Sequence, residues 1–394
     1  MSNRVVTAFR NLLYVTLLSD SHRWAFGCLA IGIVLGFWEP IPRSQASDLQ
    51  ILAQQDSVSP TSPGNFRIKK FPVDGGALSV TWSPDGRLLA TSSAAFAHIT
   101  IWDTETGKSL RQLNRGAAFG ASLAFTPDGK FLLTPMAVQG GDAQRNTVSI
   151  WDVNSGTIAS QILGPYETPG SGSNLAEAFA LCPAGKFLAV MTRGRPPGVV
   201  GIYDTSNWTL IKTLSPGSAV MSVAASPDGK WLALGTVRGA IAIYDTASWS
   251  LTRTIDAYAG FSAQVASLKF SPDSNLLVSG PSAAGRPLPN GTVEAVADSI
   301  RIWRVSSGEK EMALPLALGG RLTGTVRDIA WSPDSHHIAT SSDRSIRLWD
   351  LDQPRSAVVV TTFPKMAWGV AFSPDGNWLA ATGDGAVEVV EVKH

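Results

Sequence analysis

Cysteine, histidine and charge are all scarce in this chain. Its 394 residues include two cysteines, Cys28 and Cys182, and five histidines. Two thiols give no disulfide framework, and no C-x-x-C pair is present to hold zinc or run thiol exchange. His336 and His337 are adjacent, but neighbours on a strand point to opposite faces and do not chelate together. Charged residues make up 16% of the chain and the formal net charge is +1. Such a chain has no basic stripe to follow a phosphate backbone, so nucleic acid is not an expected partner. Gly107-Lys108-Ser109 looks like the end of a phosphate-binding loop. However, Trp102 stands where that loop requires glycine, and no helix is expected to follow. No G-x-S-x-G nucleophile elbow occurs. The expectation is therefore a non-enzyme with no catalytic, cofactor-binding or metal-binding residues.

Long apolar runs are scarce as well. Trp24 to Trp38 is uncharged and mostly apolar over 15 residues, short of the ~20 that a spanning helix needs. Arg4, Arg10 and Arg23 precede it, and Ser44-Gln45-Ala46 follows as a small-x-small pattern. This is the grammar of a secretory signal peptide, with cleavage after Ala46. An uncleaved membrane anchor over 24–38 is the alternative. Either reading puts the rest of the chain outside the cytoplasm, in the periplasm or an equivalent space, and confines membrane contact to the N-terminal segment. A soluble cytoplasmic protein is the remaining reading. Residues 5 to 18 are also apolar-rich, which leaves the position of the start codon open. Cys28 does not fit a lipidation site, because Ala25-Phe26-Gly27 lacks the usual leucine and the apolar run continues past it. Residues 47–65, rich in Ser, Pro and Gly, read as a flexible linker. Removal of 1–46 takes away four arginines and two acids, leaving 28 basic and 29 acidic residues.

What the chain has in quantity is one turn, repeated. Ser83-Pro84-Asp85-Gly86 returns as Thr126-Pro127-Asp128-Gly129, Cys182-Pro183-Ala184-Gly185 and Ser226-Pro227-Asp228-Gly229. It returns again as Ser271-Pro272-Asp273-Ser274, Ser332-Pro333-Asp334-Ser335 and Ser373-Pro374-Asp375-Gly376, giving seven copies. Proline pre-sets φ at the second position, Asp tolerates the third, and Gly relieves strain at the exit. Cys182 takes the serine place in the third copy and reads as a small filler. An apolar residue precedes each turn and a strand-like run follows it, which reads as a hairpin. A second landmark comes after each turn: Ile101-Trp102-Asp103, Ile150-Trp151-Asp152, Ile202-Tyr203-Asp204, Ile243-Tyr244-Asp245, Ile302-Trp303-Arg304, Leu348-Trp349-Asp350 and Val389-Val390-Glu391. Two landmarks in register, at a period of about forty residues, indicate a repeat of four short strands.

On those residues the stretch from 66 to 394 resembles the WD-repeat β-propeller family, in a bacterial exported form. The resemblance implies an all-β, seven-bladed β-propeller of four-stranded antiparallel blades. Two features depart from the pattern. No Gly-His dipeptide precedes any first strand, so the Asp-His-Ser-Trp hydrogen-bond network of many members is not expected intact. Repeats five and seven lack the pair of an aromatic and Asp, with Trp303-Arg304 and Val390-Glu391 in its place. The seventh repeat also stops after its third strand. Phe66-Arg67-Ile68-Lys69-Lys70-Phe71 is the one unassigned strand-like segment. The N-terminal strand 66–71 is therefore expected to pair beside 386–392 in the C-terminal blade and close the ring, since an open ring leaves aggregation-prone edges.

Insertions point to the face that would bind. From turn proline to landmark aromatic, blades four, six and seven take 16 or 17 residues, blade two takes 24 and blade five takes 31. The excess falls in the loops between second and third strands, at Val138 to Asn146 and Gly280 to Asp298. Blade three adds 193–198 there and a long approach from Gly164 to Asn174. The resemblance puts all of these on one face. Long loops on a rigid scaffold commonly carry binding. They hold Arg145, Arg193, Arg195, Arg238, Arg286 and Arg344, an arginine crown able to grip carboxylates or phosphates. Leu288 joins them in the proline-rich stretch from Pro281 to Pro289. Asp142, Glu294, Asp298, Asp343 and Asp384 occupy equivalent loops, so a merely solvated face is the competing reading. The resemblance implies a non-catalytic platform for protein partners. The alternatives are an exported hydrolase or lactonase-like enzyme acting at the central channel, and an envelope assembly or transport factor.

Overall fold

The seven turns share one geometry. In the first, Gly86 N donates to Ser83 O at 2.9 Å and Ser83 N donates to Leu88 O at 2.9 Å. The fourth residue then takes a positive φ: 71° at Gly86, and 64° and 65° at Ser274 and Ser335. Glycine adopts this backbone without a Cβ penalty, which explains its place in five of the seven copies. The serine and aspartate also work as a pair. Ser83 Oγ donates to Asp85 Oδ1 at 2.6 Å, Leu88 N donates to Ser83 Oγ at 2.9 Å, and Arg87 N donates to Asp85 Oδ1 at 3.1 Å. In the third turn both members change together, to Cys182 and Ala184, and the backbone bond from Cys182 N to Phe187 O remains. Cys182 is fully buried, in keeping with its filler role.

The computed structural model describes residues 66–73, 75–93, 98–114, 122–137, 146–163, 176–192, 198–259, 261, 263–282, 285–287, 293–295, 300–315, 325–354 and 357–392. Every regular element among them is a strand. They form seven four-stranded antiparallel sheets. Blade one runs Ala77–Trp82, Leu88–Ser93, His98–Asp103 and Ser109–Asn114, from the innermost strand outward. The other blades repeat this order, and their innermost strands neighbour one another around the ring.

Blade seven contains Ala367–Phe372, Trp378–Gly383 and Ala386–Glu391, and its fourth, outermost strand is Ile68–Pro72. The register pairs Ile68 with Val390 and Pro72 with Ala386. The closing strand is thus the expected segment, beginning two residues later and ending one residue later than 66–71. Phe71 is 1% exposed and meets Trp102 of blade one edge-on at 5.6 Å. Lys70 Nζ lies 2.7 Å from Glu388 Oε1, and Lys69 sits over the Trp378 ring at 4.9 Å.

The core lies between blades. Seven buried clusters fill the seven seams, and each draws on two adjacent blades. One of them joins Phe71, Val387 and Val389 to Val80, Trp82 and Trp102 across the closure. The rim has its own fasteners. Arg111 Nη1 donates to Ser155 O at 2.8 Å and lies where a Cβ on Gly156 would stand. Arg253 likewise crosses Gly308 to reach Val305 O and Ser306 O. At the corresponding turns of blades three and four the glycine is replaced by Trp208 and Trp249, at φ of 60° and 55°. Their left-handed backbone costs roughly 1 kcal/mol each. Trp249 offsets this by packing edge-on to Phe187 of blade three at 5.1 Å.

In place of the Asp-His-Ser-Trp network, which was not expected intact, the blades carry a two-residue version. Trp102 Nε1 donates to Thr91 Oγ1 at 2.9 Å, Trp151 to Thr134 at 3.0 Å, Trp303 to Ser279 Oγ at 2.9 Å and Trp349 to Thr340 at 3.0 Å. Where the landmark is Tyr203, Tyr244 or Val390, the matching position holds Val190, Leu234 or Ala381. An indole N–H at this place needs a buried acceptor, and the phenol and alkyl side chains that replace it put no N–H there. In blade five, Tyr258 adds a partner from the preceding link, with its hydroxyl 3.2 Å from Ser279 Oγ.

Candidate functional site

The two faces of the ring differ in how far their residues are already used. On the turn face, glycines and prolines of successive turns abut. Cβ positions at Gly86, Gly129 and Gly185 fall 3.7, 3.7 and 3.5 Å from Pro374, Pro84 and Pro127 of the preceding blade. Asp228 N donates to Ser274 Oγ of the next blade at 3.1 Å. Its turns are short and uniform, and their glycines and serines touch the neighbouring blades.

The opposite face carries the loops from second to third strands and the links between blades, because the strands are antiparallel throughout. The structure puts Arg238 there, exposed in a tight turn after Thr236. Arg344 is also exposed there, but its Nε donates to Phe363 O at 3.0 Å, so part of its guanidinium braces the next link. Asp343, just before it, has φ of 50°. Desolvation pushes its carboxyl upward, opposed by Arg347 and Arg327. Arg286 is in a short strand, Gly285–Pro287, and pairs with Glu294 in Val293–Ala295. Arg145, Arg193, Arg195 and Leu288 lie outside the described residues. The complete crown is therefore not on view, and only Arg238 and Arg344 have described side chains.

The blade-five insertion differs from the simple loop expected between Gly280 and Asp298. The second strand continues to Ser282, and a two-stranded hairpin follows it. Pro281 is consequently a strand residue opposite Val265. The pairing with the third strand has already ended at Ser279 with Arg301. Proline is tolerated there because no partner on that side needs its N–H.

A second set of residues on this face was missed in the sequence. Six innermost strands have a pairing irregularity near their entry ends, where one or more residues lose their regular partner. The residues involved are Leu78, Glu177, Met221, Ala266, Arg327 and Trp368, with Gly369 beside the last. Bulges of this kind re-aim side chains. Because the innermost strands ring the channel, these positions circle its mouth. Leu78, Met221, Ala266, Arg327 and Trp368 all keep partial exposure. Each of the six stands five residues before the first residue of its turn, so aligning the repeats on the turn would have exposed the column. It is the most chemically varied column in an otherwise uniform strand.

Among the described residues no group of three or more His, Cys, Asp or Glu side chains is arranged to hold a metal ion. His336 and His337 approach different acids, Asp352 at 3.8 Å and Asp334 at 3.9 Å. Among the described residues no helix is long and apolar enough to cross a membrane. The segments 1–46 and 47–65 lie outside the described residues.

The family described as "WD domain, G-beta repeat" matches residues 68–103, 208–245, 249–286, 317–350 and 359–390. With five matches to this repeat and seven four-stranded blades, the chain belongs to the WD-repeat β-propeller family. WD repeat-containing protein WRAP73 of Mus musculus is 25% identical over 297 residues, covering 72% of this chain and 60% of that protein. Protein transport protein sec13 of Aspergillus oryzae is 35% identical over 91 residues, 21% of this chain and 31% of its own length. Protein NEDD1 of Bos taurus is 31% identical over 109 residues, 28% and 15% of the two chains. The chain spans less than two thirds of the length of each of these relatives.

Proposed function

We propose that this chain is a non-catalytic platform for protein partners, carried outside the cytoplasm by its N-terminal segment and binding through the long-loop face. The observation that carries the reading is the asymmetry of the faces. The turn face is built of short, uniform turns that touch from blade to blade, whereas the hairpin insertion and the varied mouth residues gather on the other. Rigid scaffolds commonly bind through such loops. The relatives add support at the level of family, and the name of sec13 speaks of protein transport, which keeps an envelope assembly or transport role within the same reading. The test is crosslinking in cells and affinity capture of the full-length protein, beside a variant with residues 285–295 replaced by Gly and Ser. The substituted span leaves Pro281 and Ser282 in their strand. One extracytoplasmic protein captured by the natural chain and lost from the variant is the expected result. Capture of only cytoplasmic proteins would sink the export reading. Failure to capture any protein, with turnover of lactone or peptide substrates, would replace the platform with an enzyme.

A further inference from the structure

The outer rim belongs to neither face of the ring, and its edges are not alike. Each blade ends on an outermost strand that, among the described residues, has no partner strand on its outer side. Such an edge presents open N–H and C=O groups. The edge of blade seven, Ile68–Pro72, carries Lys69, Lys70 and Pro72. On blade one Arg111 is drawn across to Ser155 O, and on blade four Arg253 reaches Val305 O and Ser306 O. Blade five ends on Lys310–Leu314, where Glu311 pairs with Arg304 at 2.6 Å. Charges and proline are the devices that keep an edge from pairing with another chain. The edges of blades two and six, Ile158–Leu163 and Ala357–Thr362, carry no charge that could select a partner.

Blade three differs from all of these. Its outermost strand, Leu210–Leu214, is exposed at four of its five positions. Leu210 and Ile211 are 45% and 49% exposed. The register puts Leu210 opposite Tyr203 and Lys212 opposite Ile202, so Ile211 stands outside the ladder and is re-aimed. Half-buried Trp208, with its left-handed backbone, leads into the strand. Lys212 is exposed, and among the described residues no acid lies within ion-pair reach of it. The acid at the same corner, Asp204, is held by Ser206 N at 2.7 Å and Ser206 Oγ at 2.6 Å. The edge therefore offers two apolar side chains and a cation with no acid of its own, beside an open backbone.

We propose that the edge of blade three takes up an extended segment of a protein partner as a fifth strand, with an acidic residue beside Lys212 and apolar residues against Leu210 and Ile211. In strand addition, main-chain hydrogen bonds supply affinity and alternate side chains supply specificity. Charge decides against a second copy of this chain as the occupant. An antiparallel self-pairing centred on the strand would set Lys212 against Lys212, and like charges directly opposite are destabilising. The site goes beyond the long-loop platform, and either can stand without the other.

The test uses full-length protein and a fluorescein-labelled decapeptide of alternating Val and Glu, read by anisotropy. One counterpart has Lys in place of every Glu. A second is the Val-Glu peptide N-methylated throughout, which leaves it no main-chain donor. The natural chain is expected to bind the Val-Glu peptide more tightly than either counterpart, by about tenfold or more. Lys212→Glu should reverse the preference toward the Val-Lys peptide. Ile211→Ser should weaken the Val-Glu peptide about threefold or more. Leu110→Ser, on the edge of blade one, and the variant with residues 285–295 replaced should bind as the natural chain does. Thermal melts establish that each variant is folded, and a folded Ile211→Ser carries the decision if Lys212→Glu is not. Absence of Val-Glu binding, equal binding of the Val-Glu and Val-Lys peptides, undiminished binding of the N-methylated peptide, or unchanged binding to Lys212→Glu or Ile211→Ser overturns the proposal. A dimer of the natural chain in light scattering that Ile211→Ser dissolves gives the edge to a second copy and overturns it as well. The platform is scored by capture in cells with the 285–295 variant and the edge by peptide binding to Lys212→Glu, so failure of one is told from failure of the other.

Discussion

At the scale of single residues, paired substitutions record the fold. Trp102 accompanies Thr91, and Tyr203 accompanies Val190, because an indole N–H placed between blades requires an acceptor. Thr91→Val is expected to cost about 1–3 kcal/mol, the usual penalty for stranding a buried donor. Trp102→Tyr with Thr91→Val, which copies the pair of blade three, should cost less than the sum of the single changes by at least ~0.5 kcal/mol. Strict additivity in urea unfolding would contradict this. The turn aspartates make a second residue-level statement. Hydroxyl donation from Ser83 and Thr126 holds Asp85 and Asp128 below the ordinary carboxylate range. At Asp228, Asp273 and Asp375 desolvation opposes, and serine hydroxyl, side-chain and backbone donors outweigh it. A depressed folded pKa gives stability that is present above the unfolded value of about 3.9 and lost as pH falls through the folded one. Asp328 runs the other way. Burial raises it against the pull of Lys269 and its two N–H donors, so its penalty at neutral pH lifts as pH falls toward ~4. The melting temperature should therefore hold or rise slightly as pH falls from neutral toward ~4, then drop below about pH 4. Asp328→Asn should flatten the upper limb. A steady fall beginning at pH 7 would contradict both assignments. Turn and landmark were legible in sequence because their chemistry is local: a positive φ and an N–H needing an acceptor each leave a residue signature. The mouth ring left only an indirect mark, a varied column five residues before each turn, because a strand irregularity arises from pairing and no single residue type signals it.

At the scale of elements, one strand decides whether the ring is closed. Ile68–Pro72 is far in sequence from its partner Ala386–Glu391. Its role was readable because the seventh repeat ends one strand short. Phe71 anchors it between blades seven and one. Phe71→Ala is expected to cost about 3–5 kcal/mol. Lys70→Ala should cost only about 1 kcal/mol or less, since its side chain is 67% exposed. Glu388 is buried and also accepts from Thr361 Oγ1 of blade six, so it is partly held without Lys70. If calorimetry found Phe71→Ala no worse than Lys70→Ala, the closure would not rest on seam packing. The blade-five hairpin shows the opposite case. Its proline-rich sequence reads as a loop, because the reason Pro281 fits a strand is the early end of pairing on one side. No local pattern encodes that.

At the scale of the whole molecule, seven shared cores make the ring rigid and leave its two faces with different work. The turn face joins blades through prolines, glycines and serines. The other face holds the hairpin, the exposed Arg238 and Lys365, and the mouth ring. The central claim is that partners meet the second face and not the first. It is tested most directly by placing a photocrosslinking residue, one at a time, at Arg238 or Lys365 on the long-loop face and at Arg87 or Asn377 on the turn face, all four exposed. Full-length protein is then irradiated in cells. The account predicts a discrete crosslinked partner from Arg238 or Lys365, with none from Arg87 or Asn377. A partner that crosslinks from the turn positions alone would contradict it.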